Sequence, residues 1–141
     1  SSASLRRDFE DLIDYVRATD DNGLGVSRRI ARNELANTAV EIETGKMLSL
    51  RVLSMQQAGQ VPNQEASIAK MYNSELGQRF ARLGVRLLGL TGALREGSAY
   101  ERIGGHFAES YMRTVPSTIA GGSSEIQRNI IATRGLGLPR G

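Results

Sequence analysis

The chain has no cysteine, no tryptophan, one histidine and three prolines in 141 residues. Zero cysteines exclude disulfides, thiolate metal sites and a thiol nucleophile. A lone His106 cannot build a histidine-based metal site, and no metal is expected; a surface or supporting place is the ordinary one for it. Apolar runs are short. None approaches the roughly 20 residues that a helix needs to cross a bilayer. No membrane contact is expected, and with no signal-peptide pattern a cytoplasmic location is the default expectation. Lysine is nearly absent too: only Lys46 and Lys70 occur, so arginine carries almost all of the positive charge in a chain of net charge +3. Guanidinium groups suit carboxylates and phosphates, which raises nucleic acid as a partner. The arginines are spread along the chain among Asp and Glu, however, and the densest group, Arg28, Arg29 and Arg32, has no interleaved aromatics for base stacking. Nucleic acid is therefore not an expected partner.

The residues that are present read as helix throughout. Hydrophobic residues make up 40% and charged residues 23%, the balance of one globular domain with a single core. Leu5, Phe9, Leu12, Ile13 and Val16 recur at helical spacing and predict a first helix from Leu5 to about Asp20, broken by Asp20-Asp-Asn-Gly23. A long second helix is predicted from about Ser27 to Ala58. Its apolar positions (Ile30, Leu35, Ala39, Ile42, Leu50 and Leu53) fall on more than one face. Gly59 and Pro62 supply the stop. A third helix follows to about Leu88, with Ile68, Tyr72, Leu76, Phe80, Leu83 and Leu87 as its core stripe. A fourth stretch is predicted over about Tyr100 to Val115, weakened by Gly104-Gly105 and ended or kinked by Pro116. Ser123 looks like the N-cap of a last helix carrying Ile126, Ile130 and Ile131, which the glycine-rich tail to Gly141 ends. No period-2 strand appears. The expected fold is all-α: a four-helix up-and-down bundle with short extra helices, one domain over residues 1–141.

Three places carry residues that a bundle core does not require. Gly121-Gly-Ser-Ser-Glu-Ile-Gln-Arg128 sets two glycines before a hydroxyl-capped helix, so another group can approach the backbone and an anion can meet the exposed amides. A tight turn before an ordinary cap explains the same residues. Arg86-Leu-Leu-Gly-Leu-Thr-Gly92 ends a helix in a glycine-bearing loop, which suits a ligand, a partner, or only a helix stop. Arg28-Arg29 could clamp a phosphate or form a solvated charged face.

The run Ile119-Ala-Gly-Gly-Ser-Ser-Glu-Ile-Gln-Arg-Asn-Ile-Ile-Ala-Thr-Arg134-Gly-Leu-Gly-Leu-Pro139 resembles the C-terminal signature of acyl-CoA dehydrogenases. Asn37-Thr-Ala-Val-Glu-Ile-Glu-Thr-Gly45 and Ala66-Ser-Ile-Ala-Lys70 support it in the right order. The loop Leu88-Gly-Leu-Thr-Gly-Ala-Leu94 resembles the actinobacterial fatty-acid and steroid side-chain members most. The resemblance implies a C-terminal helical domain of a three-domain flavoenzyme, the N-terminal helical and middle β domains lying outside this chain. Such enzymes remove an α proton from an acyl-CoA and pass a β hydride to FAD, giving a trans-2-enoyl-CoA. Electrons leave through an electron-transfer flavoprotein, and the subunits form homo- or heterotetramers that share the FAD.

Carried over by position, Gly122 matches the glycine beside the acyl thioester. Ser123, Ser124 and Glu125 match a segment near the flavin, and Arg86, Leu87, Leu88, Gly89 and Leu90 match one that touches a neighbour's adenosine. Two departures stand out. The catalytic glutamate that many members carry before that glycine is Gly121 here, so no catalytic residue is expected at that turn. The base then lies on the first helix upstream of Ser1, or this is the non-catalytic oligomerisation subunit of a heteromeric enzyme. An Arg-x-x-Phe-Gly element is replaced by Thr19-Asp-Asp-Asn-Gly23, which loses a cofactor-contacting arginine; Arg28 or Arg29 is the candidate replacement. The isolated domain is expected to be inactive.

Overall fold

A computed structural model describes residues 2–140. Gly141, the last residue of the tail assigned to ending the final helix, lies outside the described residues. Five α-helices succeed one another: α1 (Ser2–Ala18), α2 (Arg28–Gln57), α3 (Asn63–Leu87), α4 (His106–Ser117) and α5 (Ser124–Ile130). Single 3₁₀ turns occupy Asp21–Gly23, Gly89–Ala93 and Ile103–Gly105, and a wider π turn, Ile131–Gly135, closes the last helix. Among the described residues there is no strand.

The third helix is the hub, in contact with α1, α2, α4 and α5. Its stripe Leu76, Phe80, Leu83 and Leu87 is buried against Phe9, Leu12 and Val16 of α1 and Leu35 and Ile42 of α2. These are the one-face positions that helical spacing predicts. The three phenylalanines meet at the centre: Phe80 lies edge-on to Phe107 with ring centroids 5.4 Å apart, and Phe9 is 6.2 Å from Phe80. Burying one such ring contributes roughly 1.5–3 kcal/mol, so this cluster fixes how α1 and α4 sit on α3.

Two helix-interior glycines exist for packing. A Cβ on Gly84 would stand 1.9 Å from Phe107 Cδ1, so α4 can seat its ring only on a bare α3 backbone. At Gly45 a Cβ would meet the Asn73 side chain, whose Nδ2 donates to Gly45 O at 3.2 Å and Ala69 O at 2.9 Å. That amide ties α2 to α3.

The fourth helix departs from the sequence expectation at both ends. It starts at His106, six residues after Tyr100, because Ile103 (φ 52°) and Gly105 (φ 65°) both adopt left-handed backbone, which no α-helix continues through. It also runs past Pro116 to Ser117, since a proline in the final turn removes one hydrogen bond with almost no helix left beyond it to bend. In α5 the buried residues are Ser124 and Gln127; Ile126 is half exposed. Along α2, Val40, Met47, Leu50 and Leu53 remain exposed, the second apolar face expected of this helix. Among the described residues no helix is long and apolar enough to cross a membrane.

Candidate functional site

The glycine turn after α4 is held from inside the bundle. Gly121 (φ 71°) and Gly122 (φ 96°) both take left-handed backbone that side chains resist. Their carbonyls are drawn inward. Gln127, buried on α5, donates its Nε2 to Gly121 O at 3.1 Å and Gly122 O at 3.3 Å. Lys70 of α3 donates Nζ to Gly122 O at 2.6 Å. With the carbonyls occupied, the amides of Gly121, Gly122 and Ser123 have no acceptor among the described residues. A Cβ at Gly121 would meet nothing within 4 Å, so the turn faces open space. The arrangement offers adjacent N–H donors to an oxygen that carries partial negative charge.

Ser123 accepts from the amide of Ile126 at 3.5 Å and caps α5. The same hydroxyl, with the backbone at the helix start, holds the Glu125 carboxyl below the usual carboxylate range. A carboxylate stabilised in this way is a weakened base for a carbon acid. Ser124 is buried beneath the turn. Of the nearby carboxylates, Glu75 is paired with Arg128 at 2.9 Å.

A different site forms at the C-terminal end of α3, beyond the middle turns of that helix, where Lys70 holds Gly122 and Gln78 meets Thr118. Here the loop after α1 and the loop after α3 lie backbone against backbone. Gly25 donates its N–H to Leu87 O at 2.8 Å, and a Cβ on Gly25 would sit 1.9 Å from Arg86 O and 2.7 Å from Gly89 Cα. Gly89 takes the left-handed conformation (φ 62°) that turns the chain out of α3. A cleft of about 650 Å³ opens between the two loops, lined by Thr19, Asn22, Gly23, Gly89, Leu90 and Arg102 among others. Leu90 is 99% exposed at its rim.

The residues singled out in the sequence are thus split among several roles. Leu87 and Leu88 are core side chains. Arg86 pairs with Glu34 of α2 at 2.5 Å. Gly89 and Leu90 line the cleft. Arg28 is committed to the end of α1: its fork donates to Val16 O at 3.0 Å and Thr19 O at 2.5 Å, and its Nε bonds Asp21 at 2.6 Å. Arg29 is exposed. Sequence reasoning does not select Lys70, Gln127 or Arg102. Lys70 stands in a family-like run, but its partner is 52 residues away and no local pattern announces it. A further cavity, about 430 Å³ between α1, α3 and α4, contains His106, half-exposed with Nε2 3.2 Å from Asp8 Oδ2 and 3.2 Å from Ser110 Oγ. Among the described residues no group of histidine and carboxylate side chains is arranged to hold a metal ion.

The family model for the acyl-CoA dehydrogenase C-terminal domain matches residues 1–136. The chain belongs to the acyl-CoA dehydrogenase family. It is similar to the acyl-CoA dehydrogenase FadE26 of Mycobacterium tuberculosis, 33% identical over 110 residues that cover 75% of this chain and 27% of that protein. It is also similar to the acyl-CoA dehydrogenase IpdE1 of Mycolicibacterium smegmatis, 27% identical over 95% of this chain and 31% of that protein. Among solved structures, the Tcur3481-Tcur3483 steroid ACAD superposes with a TM-score of 0.89 at 26% identity, over 99% of this chain and 35% of that one. The ChsE4-ChsE5 complex from Mycobacterium tuberculosis gives 0.87 at 29% identity, over 100% of this chain and 36% of that one. The chain therefore spans about a third of the length of the acyl-CoA dehydrogenases it matches.

Proposed function

We propose that this chain is the C-terminal domain of an FAD-dependent acyl-CoA dehydrogenase whose glycine turn holds the acyl thioester but supplies no base. The observation that carries the reading is the turn itself. Its carbonyls are anchored by Lys70 and Gln127, its three amides have no acceptor among the described residues, and glycine stands at position 121 where many members carry a glutamate. Free amides beside a thioester carbonyl stabilise negative charge that develops on its oxygen as the α proton leaves. Gly121 takes no proton, and the Glu125 carboxylate is engaged at the cap of α5, where the Ser123 hydroxyl and the backbone at the helix start hold its pKa down. The base comes from the first helix upstream of Ser1 or from a second subunit. The 141 residues alone are inactive.

An FAD fits the residues present. The cleft at the C-terminal end of α3 combines a glycine floor, an exposed apolar side chain in Leu90 and an arginine without a carboxylate partner among the described residues, features that suit an adenine nucleotide. Gly89, Leu90 and the Thr19–Gly23 loop would hold that end, while Ser123 and Ser124, beside the middle of α3, would face the reacting centre. When bound, the cofactor supplies the hydride acceptor. In keeping with the family, the reduced enzyme passes its electrons to an electron-transfer flavoprotein in the cytoplasm.

A second reading makes the chain the non-catalytic subunit of a heteromeric dehydrogenase. It is favoured by the similar structures, whose names pair two chains, and by the exposed apolar face of α2. The similarity to a steroid ACAD makes a polycyclic acyl-CoA the first substrate to try. The test is an absorbance spectrum and an acyl-CoA-dependent dye-reduction assay on the full-length protein, alone and with its genomic neighbour. Flavin and turnover by the single chain support the first reading; their appearance only with the neighbour supports the second. Absence of both under every pairing contradicts the two readings together.

A further inference from the structure

The geometry points to Arg102 as the cation that fixes the diphosphate of the adenine dinucleotide cofactor in the cleft between the Gly25 and Gly89 loops. This rests on the flavoenzyme reading above and adds a residue to it. Arg102 lines the cleft, is exposed, and forms no ion pair with a carboxylate among the described residues. Its position is anchored at one corner of the guanidinium. Nη1 donates to Tyr100 O at 3.3 Å and Glu101 O at 3.0 Å, which leaves Nη2 and Nε without a protein acceptor among the described residues. A fork held by one nitrogen with two free donors is preorganised for a bidentate anion such as phosphate.

The backbone around it is bent to achieve this. Ile103, directly after Arg102, adopts φ 52°, the one left-handed non-glycine residue among those described. Strain of that kind persists only where the surroundings enforce it. Gly105 (φ 65°) packs so closely on Arg95 and Glu96 that a Cβ would stand 2.2 Å from Glu96 N, which locks the strained segment down. Of the other arginines at this end, Arg28 has its fork occupied by the carbonyls that end α1 and by Asp21. Arg86 is occupied by Glu34. Of the three, Arg102 is the one whose charge faces the cleft uncompensated.

The test uses the full-length protein, stripped of flavin and co-purified with its neighbour where it needs one. Calorimetric titration compares ADP, adenosine and coenzyme A on the wild type, Arg102→Gln, Arg102→Lys and the control Arg7→Gln. Flavin retained per protein is read by absorbance after gel filtration. We expect Arg102→Gln to weaken ADP by about tenfold or more, the usual scale for a lost charge-assisted bond. Adenosine should be unaffected, Arg102→Lys intermediate, and Arg7→Gln like wild type. Equal losses for ADP and adenosine would make Arg102 a structural strap and overturn the proposal. A loss confined to coenzyme A would overturn it as well, by giving the phosphate to the substrate. Unchanged ADP affinity in Arg102→Gln, with wild-type flavin binding intact, sinks the assignment while sparing the flavoenzyme reading. No flavin or ADP binding by the wild type sinks both.

Discussion

The turn held against the middle of α3 and the loop junction at its C-terminal end carry glycines for opposite reasons. At the turn after α4, Gly121 is required for its backbone angle: φ is 71°, and nothing stands within 4 Å of where a Cβ would project. At the loop junction, Gly25 is required for space: a Cβ would press into Arg86 O and Gly89 Cα, backbone atoms that cannot swing aside. An open glycine presents its amide and α-carbon to something outside the domain. A closed glycine welds two loops of the domain to each other. The turn is thus shaped to receive a reacting group, and the junction to fix the walls of a binding cleft.

That contrast can be broken most forcefully at the closed end. Gly25→Ala should separate the loops and cost about 3 kcal/mol, as overpacking against immobile atoms does; chemical denaturation measures it, and flavin retention should fall in parallel. Gly121→Ala should cost only about 1–2 kcal/mol of backbone strain, with no steric component. If Gly121→Ala proved the more damaging to stability, the assignment of open and closed ends would be reversed. Lys70→Met removes the bond to Gly122 O and should cost about 1.5–3 kcal/mol, the range for a bond from a charged donor. Amide exchange at Ser124, whose N–H donates to Thr118 O across the turn, should then accelerate while the Gly25 junction is unchanged.

The smallest effect expected is at the cap. Ser123→Ala should cost about 1 kcal/mol of helix stability and raise the Glu125 pKa back toward the ordinary glutamate value, visible in an NMR titration. The sign comes from the direction of the shift. A carboxyl held low in the folded state stabilises the fold above its unfolded pKa and loses that contribution as pH falls through its folded one. The stability gap between wild type and Ser123→Ala should therefore narrow in acid.

The fold is legible in the sequence because helical periodicity is local. Phe9, Leu12 and Val16 on α1, and Leu76 through Leu87 on α3, lie buried where a 3–4 spacing puts them. The start of α4 is not fully legible: Gly104-Gly105 signals a weak point, but the left-handed Ile103 that, with Gly105, delays the helix to His106 leaves no mark in the sequence. The α5 core departs from its apolar pattern for a related reason: Gln127 is buried by its hydrogen bonds to the glycine turn, which outweigh the apolar claim of Ile126. Of the candidate site, the residues that carry backbone geometry are readable as motifs. Those that act across the fold, Lys70 on Gly122 and Arg102 beside Gly89, depend on pairings separated by 52 and 13 residues, which no local pattern records.

If the glycine turn and the loop junction serve different ligands, hydrogen–deuterium exchange on the full-length protein reads both at once. Adding a substrate acyl-CoA should protect the amides of Gly121 to Ser123, and loading FAD onto the stripped protein should protect Asn22 to Gly25 and Gly89 to Thr91. Protection of neither segment, or of the turn and the cleft by the same ligand alone, would contradict that division.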